Sequence, residues 1–231
     1  MTLDQLRPVA NRMLEPFVDL AERLGASPDG ISVLAFALAA VASVAFGLAG
    51  SSPRLYLAGA VLVFLNGWLD LLDGALARRL ETDSPGGDLL DHVLDRYADI
   101  VVVAGLAAGV ERYALGLAAV TGVLMTSYLG TQIQAVGLGR AYGGAIGRAD
   151  RLALAAFVGA VSAFVPGAVG PLTLVGYLLV LFAVAGHLTA LQRFYGAWTD
   201  LQVRAGAGES DGRGESNASG EDEHVRSSDD A

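Results

Sequence analysis

The chain has 231 residues, 53% hydrophobic and 17% charged, with a mean hydropathy of +0.50. Soluble domains carry about 25% charge and disordered chains lack apolar residues, so neither class fits. The absence of cysteine removes disulfides, thiolate metal sites and thiol nucleophiles. With a net charge of −9 and 15 basic residues, all arginine, the chain has no basic face for nucleic-acid phosphates. What remains is a small integral membrane protein.

Residues 1–25 hold no uninterrupted apolar run of the kind a cleavable signal peptide needs. Leu3, Leu6, Val9, Met13, Phe17, Leu20 and Leu24 instead share one helical stripe, which predicts an amphipathic helix lying in the inner-leaflet interface. Residues 30–53 carry no charge, and 31–49 suffice to cross the hydrocarbon core as a helix. Residues 55–69 form a shorter apolar run that continues into a charged segment through Arg79, and 100–110 form another that follows a charged segment. Residues 113–139 and 152–192 are uncharged for 27 and 41 positions, and Pro166-Gly167 with Gly170-Pro171 split the second run into two helices. The expected fold is therefore all-α, with six transmembrane helices over 26–201 after the interfacial helix. With the N-terminus cytoplasmic, only Arg54 and Arg112 of the arginines face outward. The positive-inside rule then places both termini and the charged helix ends in the cytoplasm of a multi-pass cell-membrane protein. Residues 202–231 carry eight acidic residues against three arginines and almost nothing apolar, which predicts a solvated, disordered tail. Acidic excess, absent lysine and abundant Ala, Gly and Val point to a high-salt organism.

The second and third spans are unusual at their cytoplasmic ends. Asp70 and Asp73 are spaced i,i+3 and Asp91 and Asp95 i,i+4, so each pair lies on one helix face. The turn Thr82-Asp83-Ser84-Pro85-Gly86 reverses the chain and brings the faces together. Four carboxylates meeting at membrane depth cannot all stay ionised unaided, and two Mg²⁺ or Mn²⁺ ions would balance their charge. Gly74 leaves the backbone open to a ligand, and Arg78 offers a bidentate phosphate contact. The implied chemistry is metal-assisted transfer at a diphosphate. A solvated helix cap would explain two acids, but not four with Gly and Arg in register.

The segment resembles the CDP-alcohol phosphatidyltransferase family, whose signature is D-x2-D-G-x2-A-R-x8-G-x3-D-x3-D. Asp70, Asp73, Gly74, Ala77, Arg78, Gly87, Asp91 and Asp95 fill all eight fixed positions, within 26 residues. The resemblance implies that Asp70, Asp73, Asp91 and Asp95 hold a dinuclear metal site, with Asp95 also the general base toward the acceptor hydroxyl. It further implies that Gly74, Arg78 and Ser84 contact the CDP moiety. Asp29, in Ser27-Pro28-Asp29-Gly30, stands where the family more often has Asn near the nucleotide lipid. The family's reaction is attack of an alcohol on the lipid-side phosphate of a CDP-activated lipid, releasing CMP, and its members are usually homodimers. In a high-salt archaeon the donor would be CDP-archaeol.

Within the family, Asp91-His-Val-Leu-Asp95-Arg96-Tyr97-Ala98-Asp99 and the stretches 143–152 and 191–193 resemble the archaetidylinositol and phosphatidylinositol phosphate synthase branch. That likeness implies a sugar-alcohol phosphate acceptor such as myo-inositol phosphate, its phosphate held by Arg148, Arg151 and Arg193. Glycerol phosphate, serine and free inositol are the alternative acceptors. After Ser127-Tyr128 that branch usually carries a Lys or Arg and then R-x-E, whereas this chain has Gly130-Thr131-Gln132-Ile133-Gln134. Two other classes compete: an intramembrane prenyltransferase, whose first Asp-rich motif is similar to Asn66-x3-Asp70, and an ion transporter using the four Asp. The first normally has a second, separated Asp-rich region that is missing here, and the second leaves Gly74 and Arg78 without a purpose. Of the remaining polar residues, His92 is read as a surface residue and His187 as a packed one. Asn66 is read as a helix–helix partner, and Asp88 and Asp99 as extensions of the acidic face that orient ligands indirectly.

Overall fold

The computed structural model describes residues 7–82, 84–139 and 146–226, with side chains over 13–82, 84–139 and 146–204. Residues 1–6, Asp83 and 140–145 lie outside it, as do the side chains of Val9 and Arg12 and of the acidic tail beyond Arg204. The described elements are α1 (Arg7–Arg23), α2 (Pro28–Leu48), α3 (Arg54–Leu80), α4 (Pro85–Gly109), α5 (Tyr113–Ala135), α6 (Arg148–Ser162), a two-residue β-ladder of β1 (Ala168–Val169) and β2 (Leu172–Thr173), and α7 (Leu174–Arg226). Among the described residues the regular structure is thus all-helical apart from that ladder, which fills the predicted break around Pro166 and Pro171. Gly170 turns it at φ +79°, a conformation that favours glycine.

Among the described residues, four helices are long and apolar enough to cross a membrane: α2, α3, α5 and the Leu174–Arg204 part of α7. The other two predicted spans fall short for different reasons. Helix α4 is long, but Asp88, Asp91, Asp95, Arg96 and Asp99 crowd its N-terminal part, up to its middle. Helix α6 has 15 residues, which reach about 22 Å against a hydrocarbon core of about 30 Å. The backbone of α7 runs on helically to Arg226 through the segment whose composition predicts disorder.

Local signals set the helix starts beside the charged ends. Ser27 caps α2 by accepting from Gly30 N at 3.2 Å, ahead of Pro28 and Asp29 in the first turn. Ser84 caps α4 in the same way, accepting from Gly87 N at 3.0 Å ahead of Pro85. Glu81 ends α3 at φ 52°. The bundle core gathers Phe46, Tyr56, Val63, Leu106, Ala119 and Leu179. Close approach of α4 to α2 depends on Gly105 and Gly109, because a Cβ at either would strike the α2 backbone at Ser43 or Phe46.

A smaller apolar cluster joins α1 to α3 through Leu14, Val18, Ala21, Leu72 and Leu76. Arg79 Nη2 pairs with Asp19 Oδ1 at 2.8 Å, and Phe17 meets Trp68 edge-on at 5.4 Å. The predicted stripe members Met13, Phe17, Leu20 and Leu24 stay exposed on another face of α1. That helix therefore has two apolar faces, one docked on α3 and one turned outward. His187 packs against Gly122 and lies 3.4 Å from Thr121 Oγ1, whereas His92 is exposed with its ring beside Asp88 O.

Candidate active site

The i,i+4 spacing on α4 and the short reversal after α3 bring Asp70, Asp91 and Asp95 into one group. One carboxylate oxygen from each lies within 4.8 Å of the others. Asp73 belongs to the same cavity but is held apart. It is 6% exposed, its Oδ2 accepts from Ser32 Oγ at 2.6 Å, and its Oδ1 accepts from Gly74 N at 2.5 Å. Asn66 Nδ2 donates to Ala35 O at 2.8 Å, as expected of a helix–helix partner, and Asn66 also lines this cavity. The structure thus brings three of the four predicted ligands within reach of a single ion and keeps the fourth alongside.

An all-oxygen, carboxylate-only donor set suits a hard divalent cation. The group also demonstrates its need for positive charge directly. Arg148, the first residue of α6, lays its guanidinium between two helices, with Nη1 2.6 Å from Asp70 Oδ1 and Nη2 2.6 Å from Asp95 Oδ1. That is the short, charge-assisted geometry of a strong pair. Divalent metal binding thus fits the residues present, with Asp70, Asp91 and Asp95 as the oxygen donors.

The residues expected at the nucleotide lie on the outer rim. Arg78 reaches back along α3, so that its Nη1 would sit 3.4 Å from a Cβ at Gly74. A Cβ at Gly87 would meet both Asp29 Oδ1 and Ser84 Oγ at 3.2 Å. Asp29 from α2 and Ser84 from the α4 cap therefore converge on the motif's second glycine, whose missing side chain leaves the gap between them. Asp29, Arg78 and Ser84 are all exposed.

The three arginines expected at the acceptor part company. Arg148 goes to the acidic group, whereas Arg151 and Arg193 flank a separate cavity lined by Val123, Thr126, Ile146, Phe182, Gly186 and Thr189. Arg151 is 8% exposed, and its Nη2 donates to Asp99 Oδ2 at 2.9 Å. Arg193 Nη1 donates to Thr126 O at 2.6 Å. Two residues here were not singled out from the sequence as members of the site. Arg96 donates to Ser127 Oγ and lies 3.5 Å from Asp99 Oδ2, and Ser32 anchors Asp73. The position of Arg96 next to the fourth motif Asp was a signal for the first, and nothing in the sequence marks Ser32.

Comparison with known proteins identifies the family. The family model for CDP-alcohol phosphatidyltransferase matches residues 26–198. The chain is 32% identical over 201 residues to the archaetidylinositol phosphate synthase of Methanothermobacter thermautotrophicus, covering 87% of this chain and 96% of that protein. It is 31% identical over 195 residues to the phosphatidylinositol phosphate synthase of Mycobacterium tuberculosis, covering 81% and 87%. Crystal structures of the latter enzyme superpose on this fold. With CDP-DAG bound the TM-score is 0.68 at 28% identity, over 81% of this chain and 94% of that one. In complex with manganese and citrate it is 0.69 at 27% identity, over 80% and 89%. The chain belongs to the CDP-alcohol phosphatidyltransferase family, and is a membrane transferase of phospholipid biosynthesis.

Proposed function

We propose that the chain transfers the phosphatidyl-type group of a CDP-activated lipid, CDP-archaeol, to the hydroxyl of a phosphorylated sugar alcohol, myo-inositol phosphate, and releases CMP. The observation that carries this reading is the pairing of an acidic centre with a neighbouring arginine-flanked cavity. One region suits a metal-bound diphosphate, and the other suits an acceptor that is itself an anion. The relatives' own products, inositol-phosphate lipids, support the same acceptor.

In this reading Asp95 takes the proton of the acceptor hydroxyl. The freed oxygen attacks the lipid-side phosphorus, the bond from that phosphorus to the bridging oxygen breaks, and CMP departs with the bond's electrons. Two Mg²⁺ ions, replaceable by Mn²⁺, supply Lewis-acid stabilisation of the diphosphate charge when held by Asp70, Asp73, Asp91 and Asp95. Asp29, Gly74, Arg78 and Ser84 bind the CDP-lipid at the rim. Arg151 and Arg193 hold the acceptor phosphate; Arg148 joins them only by leaving Asp70 and Asp95. The catalytic unit spans 26–201 as six transmembrane helices, with α4 and α6 sheltered by their neighbours, and works as a homodimer. Residues 1–25 lie in the inner interface and 202–231 extend into the cytoplasm, where both termini and the active site face.

The test is CMP release by purified protein with CDP-archaeol or CDP-diacylglycerol, Mg²⁺, and inositol phosphate, free inositol, glycerol phosphate or serine. Metal-dependent release with inositol phosphate is expected. Release with serine or free inositol instead would remove the acceptor assignment, and metal-independent release would remove the mechanism.

A further inference from the structure

Three guanidiniums from three helices meet at one turn of α5. Arg193 of α7 donates to Thr126 O, Arg96 of α4 donates to Ser127 Oγ, and Arg151 of α6 lines the cavity beside Thr126. Arg151 and Arg193 are near enough to repel each other. The carboxylate in their midst is Asp99, 5% exposed, 2.9 Å from Arg151 Nη2 and 3.5 Å from Arg96 Nη2.

Asp99 continues the stripe of Asp91 and Asp95 at the next i+4 position on α4. Helix periodicity alone would make it another metal ligand, yet it stands outside the three-carboxylate group and is spent on arginines. Arg96 also reaches Asp95 Oδ2 at 3.9 Å, so Asp99 is the carboxylate that faces both Arg151 and Arg96. Arg151 is the deeply buried member, and a guanidinium so placed is unfavourable unless its donors are matched by an anionic partner. Arg151 Nε is buried and has no hydrogen-bond partner among the described residues, which leaves a donor unused.

We propose that Asp99 is a positioning residue for the acceptor, fixing the guanidiniums of Arg151 and Arg96 so that their free edges face a phosphoryl group in this cavity. The proposal rests on the reading of a phosphorylated acceptor and deepens it. Asp99 acts through the arginines and does not itself touch the substrate. Its place one turn beyond Asp95 ties the aim of the acceptor clamp to the helix that carries the base.

The test is steady-state kinetics in proteoliposomes, varying inositol phosphate and CDP-lipid separately, with Mn²⁺ binding followed by electron paramagnetic resonance. Asp99→Asn, which keeps the shape but not the charge, should raise the acceptor KM about tenfold or more, with the CDP-lipid KM and Mn²⁺ affinity within about twofold of wild type. Added to Arg151→Ala, it should cause less further loss than it does alone, because one of the two residues it positions has gone. If Asp99→Asn does not fold, Asp99→Glu keeps the charge while displacing the carboxylate by one methylene, and the same KM split is expected. An unchanged acceptor KM, equal rises in both KM values, or full additivity with Arg151→Ala would overturn the proposal. Wild-type protein using free inositol as readily as inositol phosphate would instead bring down the acceptor reading, and the proposal with it.

Discussion

The two charged regions of the molecule are near mirror images. In one, Asp70, Asp91 and Asp95 surround a single guanidinium, that of Arg148. In the other, Arg96 and Arg151 flank the carboxylate of Asp99, with Arg193 beside Arg151 against the neighbouring turn of α5. Each region holds an excess of one sign together with one counter-charge that keeps the buried cluster from repelling itself apart. Helix α6 serves both, sending Arg148 to the acidic side and Arg151, three residues on, to the basic side. Counter-charges of this kind do two jobs: they make the free protein foldable, and they leave a net charge opposite to that of the ligand.

The strongest break in this symmetry is expected at Asp95, which serves both as donor to the cation and as base. Asp95→Asn should lower turnover about a thousandfold while CDP-lipid binding remains measurable, since it removes the base but little of the donor set. Full activity in the CMP-release assay would show that the base is elsewhere. On the basic side, Arg193→Ala removes a clamp and not a reacting group. The acceptor KM should rise about thirtyfold, and the CDP-lipid KM far less. Equal effects on both substrates would mean that Arg193 only supports the fold.

The acidic region was legible in advance because its information is local. Asp70, Asp91 and Asp95 are placed by helix period on two helices joined by a short turn, so spacing brings these three together, whereas the bond to Ser32 of α2 holds Asp73 apart. The basic region is assembled by tertiary packing. Asp99 meets Arg151 across 52 positions and Arg193 meets Thr126 across 67, separations at which no periodicity operates. The family resemblance named Arg148, Arg151 and Arg193 as one group, whereas packing sends Arg148 to Asp70 and Asp95 and brings Arg96 to Asp99. The spans divide in the same way. Helices α2, α3, α5 and α7 declare themselves by unbroken apolarity, whereas α4 carries its functional charges within the helix and α6 is short. Function has diluted the hydropathy signal at the helices that carry the site.

The counter-charge idea can be sharpened at Arg148. Replacing it with Gln leaves Asp70 and Asp95 without their 2.6 Å partner. Two consequences should follow together. The metal-free protein should unfold at a lower temperature, because like charges at low dielectric lose their neutralising cation. Mn²⁺ should bind about tenfold more tightly, because it no longer displaces a guanidinium. A variant with unaltered Mn²⁺ affinity would show that the guanidinium and the metal do not share the carboxylates.

The smallest expected effect lies at Gly130, where the resembling branch carries a basic residue. A Cβ there would come 3.0 Å from Arg193 Nη1, so the bare backbone of α5 is what seats the guanidinium against Thr126 O. Gly130→Ala should push the flexible end of Arg193 aside by a few tenths of an ångström. The acceptor KM should rise by about threefold at most, with CDP-lipid kinetics and Mn²⁺ affinity untouched. A loss as large as that of Arg193→Ala would mean that the clamp has no slack, and that Gly130 sets the acceptor site as strictly as Asp99 does. No change at all would place the working position of Arg193 away from α5, with its hydrogen bond to Thr126 broken when the acceptor is bound.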